Sequence, residues 1–112
     1  MQAYIDRFNA RDFDAVRTLL AEEVRVDVVG KVRLKGREAS TYFGNYSSLH
    51  DWRLVPGLVE GHPAALVLDP ADPSRTPRYF ILFDWSGERV SIVRDYRYRR
   101  YVCDGADLEV LA

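Results

Sequence analysis

A chain of 112 residues with 16 Lys and Arg against 17 Asp and Glu carries a formal net charge of −1. That length suits one domain with one buried core, and the near-neutral balance offers no electrostatic footprint for nucleic acid. No apolar run approaches the ~20 residues of a membrane span, and the first residues are neither basic nor followed by a secretory apolar core, so the expected location is the cytoplasm. A single cysteine, Cys103, excludes an internal disulfide. With only His50 and His62 and no ligand spacing among Cys, His and carboxylates, no metal and no cofactor are expected.

Residues 4 to 27 predict two short amphipathic helices running into a strand. Tyr4, Ile5 and Phe8 make one apolar stripe and Phe13, Val16, Leu19 and Leu20 a second, split at Asn9-Ala10-Arg11-Asp12. Asp12 stands where an N-cap belongs, with Ala15 instead of Glu at the third position. Helices this short need something to close over. Val24 to Val29 alternates as a half-buried strand, with Val24, Val26 and Val28 on one side and Arg25 and Asp27 on the other. Gly30 and Lys31 turn the chain into a short strand, Val32 to Leu34, and Gly36 opens a helix from about Arg37 to Leu49 with Ala39, Tyr42, Phe43 and Tyr46 on its apolar side.

Strands are then predicted over Trp52 to Glu60, with a bulge or bend at Pro56-Gly57, over Ala64 to Leu68, and, after a proline-rich loop at 69–77, over Tyr79 to Trp85. Ser86-Gly87-Glu88 turns into Arg89 to Val102, completing a hairpin, and Asp104 to Ala112 is expected to fray or pack loosely. Helices grouped first and strands after give an α+β fold, a curved mixed or antiparallel sheet lidded by three helices.

The segment N-A-x-D-x-D-x-x-x-x-L-L-A-E-E-V resembles a common opening of the nuclear transport factor 2-like superfamily, which includes ketosteroid isomerase and the SnoaL-like polyketide cyclases. With V-R-V-D-V-V-G-K-V-R-L-K-G at 24–36 and I-V-R-D-Y-R-Y-R-R-Y-V at 92–102, the whole chain looks most like the C-terminal SnoaL-like domain of extracytoplasmic-function RNA polymerase sigma factors. The resemblance implies a cone-shaped roll. It further implies one domain over 1–112, excised from a longer sigma factor, that is regulatory and non-catalytic. Such a domain binds a ligand or a partner, contacts the sigma core domains and RNA polymerase, and modulates transcription initiation. The alternative is a stand-alone SnoaL-like enzyme of isomerase or cyclase type, or a carrier of a small hydrophobic ligand.

Period-two alternation, continued from Val90 and Ile92, points Arg94, Tyr96 and Tyr98 inward and Asp95, Arg97 and Arg99 outward. An inward guanidinium needs an anion, from Asp27, from tyrosine hydroxyls or from an acidic ligand. The same strand, with aromatics and most arginines on opposite faces, makes no stacking platform for nucleic acid. Compared with ketosteroid isomerase, Tyr4 falls at that family's donor tyrosine on the first helix, whereas the base falls at Val28 and the second donor's stretch, Tyr79 to Leu82, is apolar. Asp27, Asp84 and Asp95 all alternate away from the hollow, so no catalytic residue is assigned. The ligand-pocket candidates are Tyr4, Phe8, Tyr46, Trp52, Arg94 and Tyr96. Tyr79 to Trp85 is apolar on both faces, which predicts a homodimer or interdomain contact through the sheet.

Overall fold

The computed structural model describes residues 1–99 and 101–111. Helices α1 (Gln2–Asn9) and α2 (Phe13–Arg17) lead into β1 (Leu20–Val28) and β2 (Val32–Lys35). A 3-10 turn (Gly36–Glu38) enters α3 (Ala39–Ser48), followed by β3 (Arg53–Val59), β4 (His62–Leu68), β5 (Tyr79–Ser86), β6 (Arg89–Asp95) and β7 (Leu108–Val110). The seven strands form one sheet in the order β2-β1-β6-β5-β4-β3-β7. Among the described strands, only the β1–β6 pair is parallel. This is the expected α+β architecture, a curved, unclosed sheet with helices over one face. No described helix is long and apolar enough to cross a membrane.

The helices close over the sheet through aromatic packing, as the stripes at Tyr4, Ile5 and Phe8 require. Phe8 is the hub: its ring lies 5.1 to 5.2 Å from those of Phe13, Tyr46 and Trp52, all edge-on. Asp12 caps α2, its carboxylate accepting from Ala15 N–H at 3.2 Å. Asn9 ties α1 to β3 by accepting from Leu54 N–H and donating to its carbonyl, both at 2.8 Å. Arg11, in the left-handed region at φ 60, donates to the carbonyls of Tyr46, Ser47 and Leu49 and lies over the Trp52 ring at 4.7 Å. It thus supplies both hydrogen bonds and positive charge to the C-terminus of α3, which has no basic residue of its own there.

Three local expectations are corrected. No bulge occurs at Pro56-Gly57, because β3 pairs with β4 in unbroken register from Arg53↔Leu68 to Val59↔His62. The Pro56 carbonyl accepts from Leu111 N–H at 2.9 Å, so its backbone polar groups face away from β4 and the missing N–H costs that ladder nothing. The expected loose tail instead adds β7 to the edge of β3. Finally, β6 ends at Asp95 and not at Val102, the chain turning from Tyr96 onward; the Arg100 and Ala112 parts of the expected strand and tail lie outside the described residues.

The shift that matters most for the site lies in β6. On β5, Asp84 and Trp85 are consecutive, yet they face Ile92 and Val90, leaving Ser91 as an extra residue. The bulge reverses the phase of everything after it. Val90, Val93 and Asp95 are buried, whereas Arg94 turns to the other side. That opposite face carries a second apolar cluster of Val59, Ala64, Leu66 and Phe80, over which the chain's own Tyr96, Val102, Cys103 and Leu108 pack.

Gly57 is where backbone and packing leave no room. A β-carbon there would lie 2.5 Å from Leu66 and 2.7 Å from the Glu109 carbonyl oxygen. Gly57→Ala is expected to lower stability by about 1–3 kcal/mol, read by chemical denaturation, with β7 lost before the rest of the sheet in hydrogen exchange.

Candidate functional site

Asp95 is the one charged residue buried among the described residues, at 1% exposure. The end of β6 delivers it to the face beneath the helices, and α3 delivers the phenols that meet it. Tyr42 and Tyr46, four residues apart and therefore on one side of that helix, each donate to Asp95 Oδ2 at 2.6 Å. The Arg97 backbone N–H donates to Oδ1 at 2.8 Å. Short O–H···O⁻ contacts of this kind are the strong, charge-assisted ones.

Behind Tyr46 the network continues to the surface. Tyr46 and Tyr79 hydroxyls are 2.8 Å apart, Arg97 Nη1 donates to the Tyr79 oxygen at 2.9 Å, and Arg97 Nη2 donates to Asp51 at 2.9 Å. Proton counting fixes the directions. Arginine only donates and each phenol has one proton. Tyr46 spends its proton on Asp95, so Tyr79 donates to Tyr46. Every bond from Arg97 through Tyr79 and Tyr46 points toward Asp95.

Burial holds the Asp95 carboxyl above the usual carboxylate value of 3.8, opposed by the hydrogen bonds from Tyr42, Tyr46 and the Arg97 N–H and by the Arg97 charge. Burial likewise pushes Tyr79 up to about 12, helped by the Asp95 charge, and raises Tyr42 and Tyr46 for the same reasons. The guanidinium of Arg97 does not neutralise Asp95 directly; it is held by Asp51 and Tyr79. The result is a carboxyl with raised proton affinity whose immediate side-chain partners are neutral.

Asp95, Tyr42 and Tyr46 form part of the wall of a cavity of about 110 Å³ between the β1–β2 turn, α3 and the segment after β6. Val28, Val32, Leu34 and Leu49 make its apolar walls. A larger groove of about 700 Å³ runs past Glu22, Arg25 and Lys35, but it is an open surface with no buried polar group in it.

Of the six expected pocket residues, Tyr46 alone lines this cavity. Tyr4, Phe8 and Trp52 are buried beside it in the aromatic core. Arg94 and Tyr96 must be moved to the opposite face, because the bulge at Ser91 reverses the alternation. Arg94 finds its anion there in Asp84, at 3.1 Å, and Tyr96 packs on Phe80, ring centroids 4.9 Å apart. Asp27 points outward as expected, toward Arg33 at 3.9 Å. Asp95 does not: the hollow has a carboxylate after all. Since Val28 pairs with Asp95 across the parallel β1–β6 ladder, that carboxylate lies one strand over from the position where the sequence comparison looked for a base. Tyr42, Tyr79, Arg97 and Asp51 were also missed; the available signal was the i, i+4 tyrosine pair of α3, which reads as core until an acid is placed opposite it.

The Tyr4 hydroxyl is buried with no hydrogen-bond partner among the described residues. Burial, and secondarily the charge of Asp95, raises its pKa. An unpaired buried hydroxyl pays its desolvation without return, so Tyr4→Phe is expected to leave stability unchanged or raise it by up to about 1 kcal/mol in denaturant melts. Asp95 carries the pH prediction. A carboxyl with a raised folded-state pKa contributes stability that is fully present below its unfolded value, near 3.8, and is lost as pH rises through the folded value. The stability of the wild type relative to Asp95→Asn should therefore fall with increasing pH across that interval and then level off, as measured by denaturation of both proteins at a series of pH values.

No family model and no curated protein matches the sequence. Solved structures do. Bal32a, from a soil-derived mobile gene cassette, is similar with a TM-score of 0.63 and 22% identity over 92% of this chain and 89% of that one. A proposed polyketide cyclase of Sinorhizobium meliloti gives 0.62 and 18% over 82% and 88%. SalBIII, an epoxide hydrolase/cyclase-like enzyme with a role in pyran ring formation in the polyether salinomycin, gives 0.60 and 22% over 96% and 90%. At these identities the likeness speaks for the architecture, and the chain has the lidded, cone-shaped fold of the nuclear transport factor 2-like proteins.

Proposed function

We propose that this chain is a small-molecule enzyme of the isomerase or cyclase type, in which Asp95 moves a proton at the base of an apolar cavity. The observation that carries this reading is the environment of Asp95. A carboxyl whose proton affinity is raised by burial, held by two phenols and a backbone N–H at the wall of a cavity, is the arrangement that general acid–base chemistry needs. The ionised form takes a proton from an acidic C–H or hydroxyl, and the neutral form returns one. A phenol that turns from the carboxylate donates to an oxygen that gains negative charge as the proton moves.

The similar solved structures named as cyclase or cyclase-like favour this reading over a regulatory domain of a sigma factor, for which they offer no support. A pure carrier of hydrophobic ligands is less well served, because a small cavity with a buried carboxyl in its wall is a poor place to store an apolar molecule.

The test is proton exchange on a small ketone. In D2O, the protein should accelerate deuterium incorporation next to the carbonyl of 2-cyclohexenone over buffer alone, and Asp95→Asn should reduce that acceleration by about 100-fold or more. A variant as fast as the wild type, or a wild type no faster than buffer, defeats the proposal.

A further inference from the structure

The two phenols on Asp95 look interchangeable and are not. A phenol has one proton and two favoured O–H directions in the plane of its ring. For Tyr46 one direction points at Asp95 and the other is filled by the proton that Tyr79 donates, with the oxygens 2.8 Å apart. Turning the Tyr46 proton would set two O–H groups against each other, and Tyr79 cannot reverse while Arg97 donates to its oxygen at 2.9 Å. Tyr46 is pinned. Tyr42 donates to Asp95 at 2.6 Å and, among the described residues, accepts nothing. No described residue donates along its second direction, and it lines the cavity.

We propose that Tyr42 is the phenol that touches substrate, its hydroxyl swinging from Asp95 onto an acceptor oxygen of a compact, mostly apolar molecule, while Tyr46 stays on the carboxylate. The ligand chemistry is that of a carbonyl or epoxide oxygen on a body of about one ring, since the cavity measures about 110 Å³ and Val28, Val32, Leu34 and Leu49 form its apolar side, with Lys31, Thr41, Asn45 and Arg97 among its polar lining. When Tyr42 leaves, Asp95 keeps two donors, the Tyr46 hydroxyl and the Arg97 N–H, so the buried charge is not left bare. The same departure removes a donor that lowers the proton affinity of Asp95. Binding an acceptor oxygen therefore makes the carboxylate a stronger base at the moment the substrate arrives. This assignment rests on the acid–base reading of the site and names the residue that hands the substrate over to it.

The experiment uses 2-cyclohexenone labelled with 13C at the carbonyl, titrated into the wild type and into Tyr42→Phe, Tyr46→Phe and Tyr79→Phe. In the wild type the bound carbonyl resonance should move downfield, as hydrogen bonding requires. Tyr42→Phe should abolish that movement and weaken binding about tenfold, while Tyr79→Phe and Tyr46→Phe should keep the movement, the first of them within about twofold of wild-type affinity. Equal binding by Tyr42→Phe, loss of the carbonyl movement in Tyr46→Phe, or no binding by the wild type overturns the assignment. Should Tyr42→Phe fail to fold, the wild type alone decides: a roughly tenfold preference for cyclohexenone over cyclohexene supports the assignment, and no preference overturns it. The acid–base reading fails separately, if the 13C-labelled carboxyl of Asp95 in the wild type titrates at 3.8 or below.

Discussion

The hydrogen bonds that gather on Asp95 are the constraint to which the rest of the molecule answers. A carboxylate at 1% exposure is tolerable only if its lone pairs are used. Two come from one helix and one from the backbone just past its own strand. Those bonds fix where α3 sits over the sheet, and the Trp52 N–H, donating to the Tyr46 and Leu49 carbonyls at 3.1 Å, fixes where α3 stops. Arg11 then closes the same helix end from below. Lid, sheet and site are held by one set of contacts, so the rigidity that the proposed proton transfer needs would come from the fold itself.

The network also has a polarity. Arg97 anchors one end and cannot accept a proton, so the phenols behind Asp95 serve as fixed dipoles aimed at the carboxylate. Asp51, half-exposed, holds the guanidinium in turn. Desolvation raises the proton affinity of Asp95 and these donors moderate it. The balance leaves a carboxyl of raised proton affinity without a cation bound directly to it.

Much of this was legible beforehand and the decisive part was not. The stripes of Tyr4, Ile5 and Phe8 and the alternation of Val24, Val26 and Val28 announce a lid and a half-buried strand, because burial of apolar faces is written in period alone. The site failed on a single residue. Ser91 carries no mark of a bulge, neither glycine nor proline, and its role exists only in the mismatch with the facing strand β5, where Asp84 and Trp85 meet Ile92 and Val90. Strict alternation past it inverts Arg94, Asp95 and Tyr96 together. Pro56-Gly57 shows the converse, a residue pair that reads as an irregularity and lies in regular register because the proline faces the short β7 side. Local propensity places elements; cross-strand registration places side chains.

The two rims of the sheet have a consequence for how the molecule behaves in a crowd. A bare strand edge is a template on which another chain can add. One rim here is β2, four residues long and carrying Arg33 and Lys35; the other is occupied by β7, paired along Gly57 to Val59 of β3. Neither offers a long unpaired ladder. Removing Leu108–Val110 would present the Gly57 to Val59 stretch of β3 to its neighbours, so this short strand shields an edge on which another chain could add.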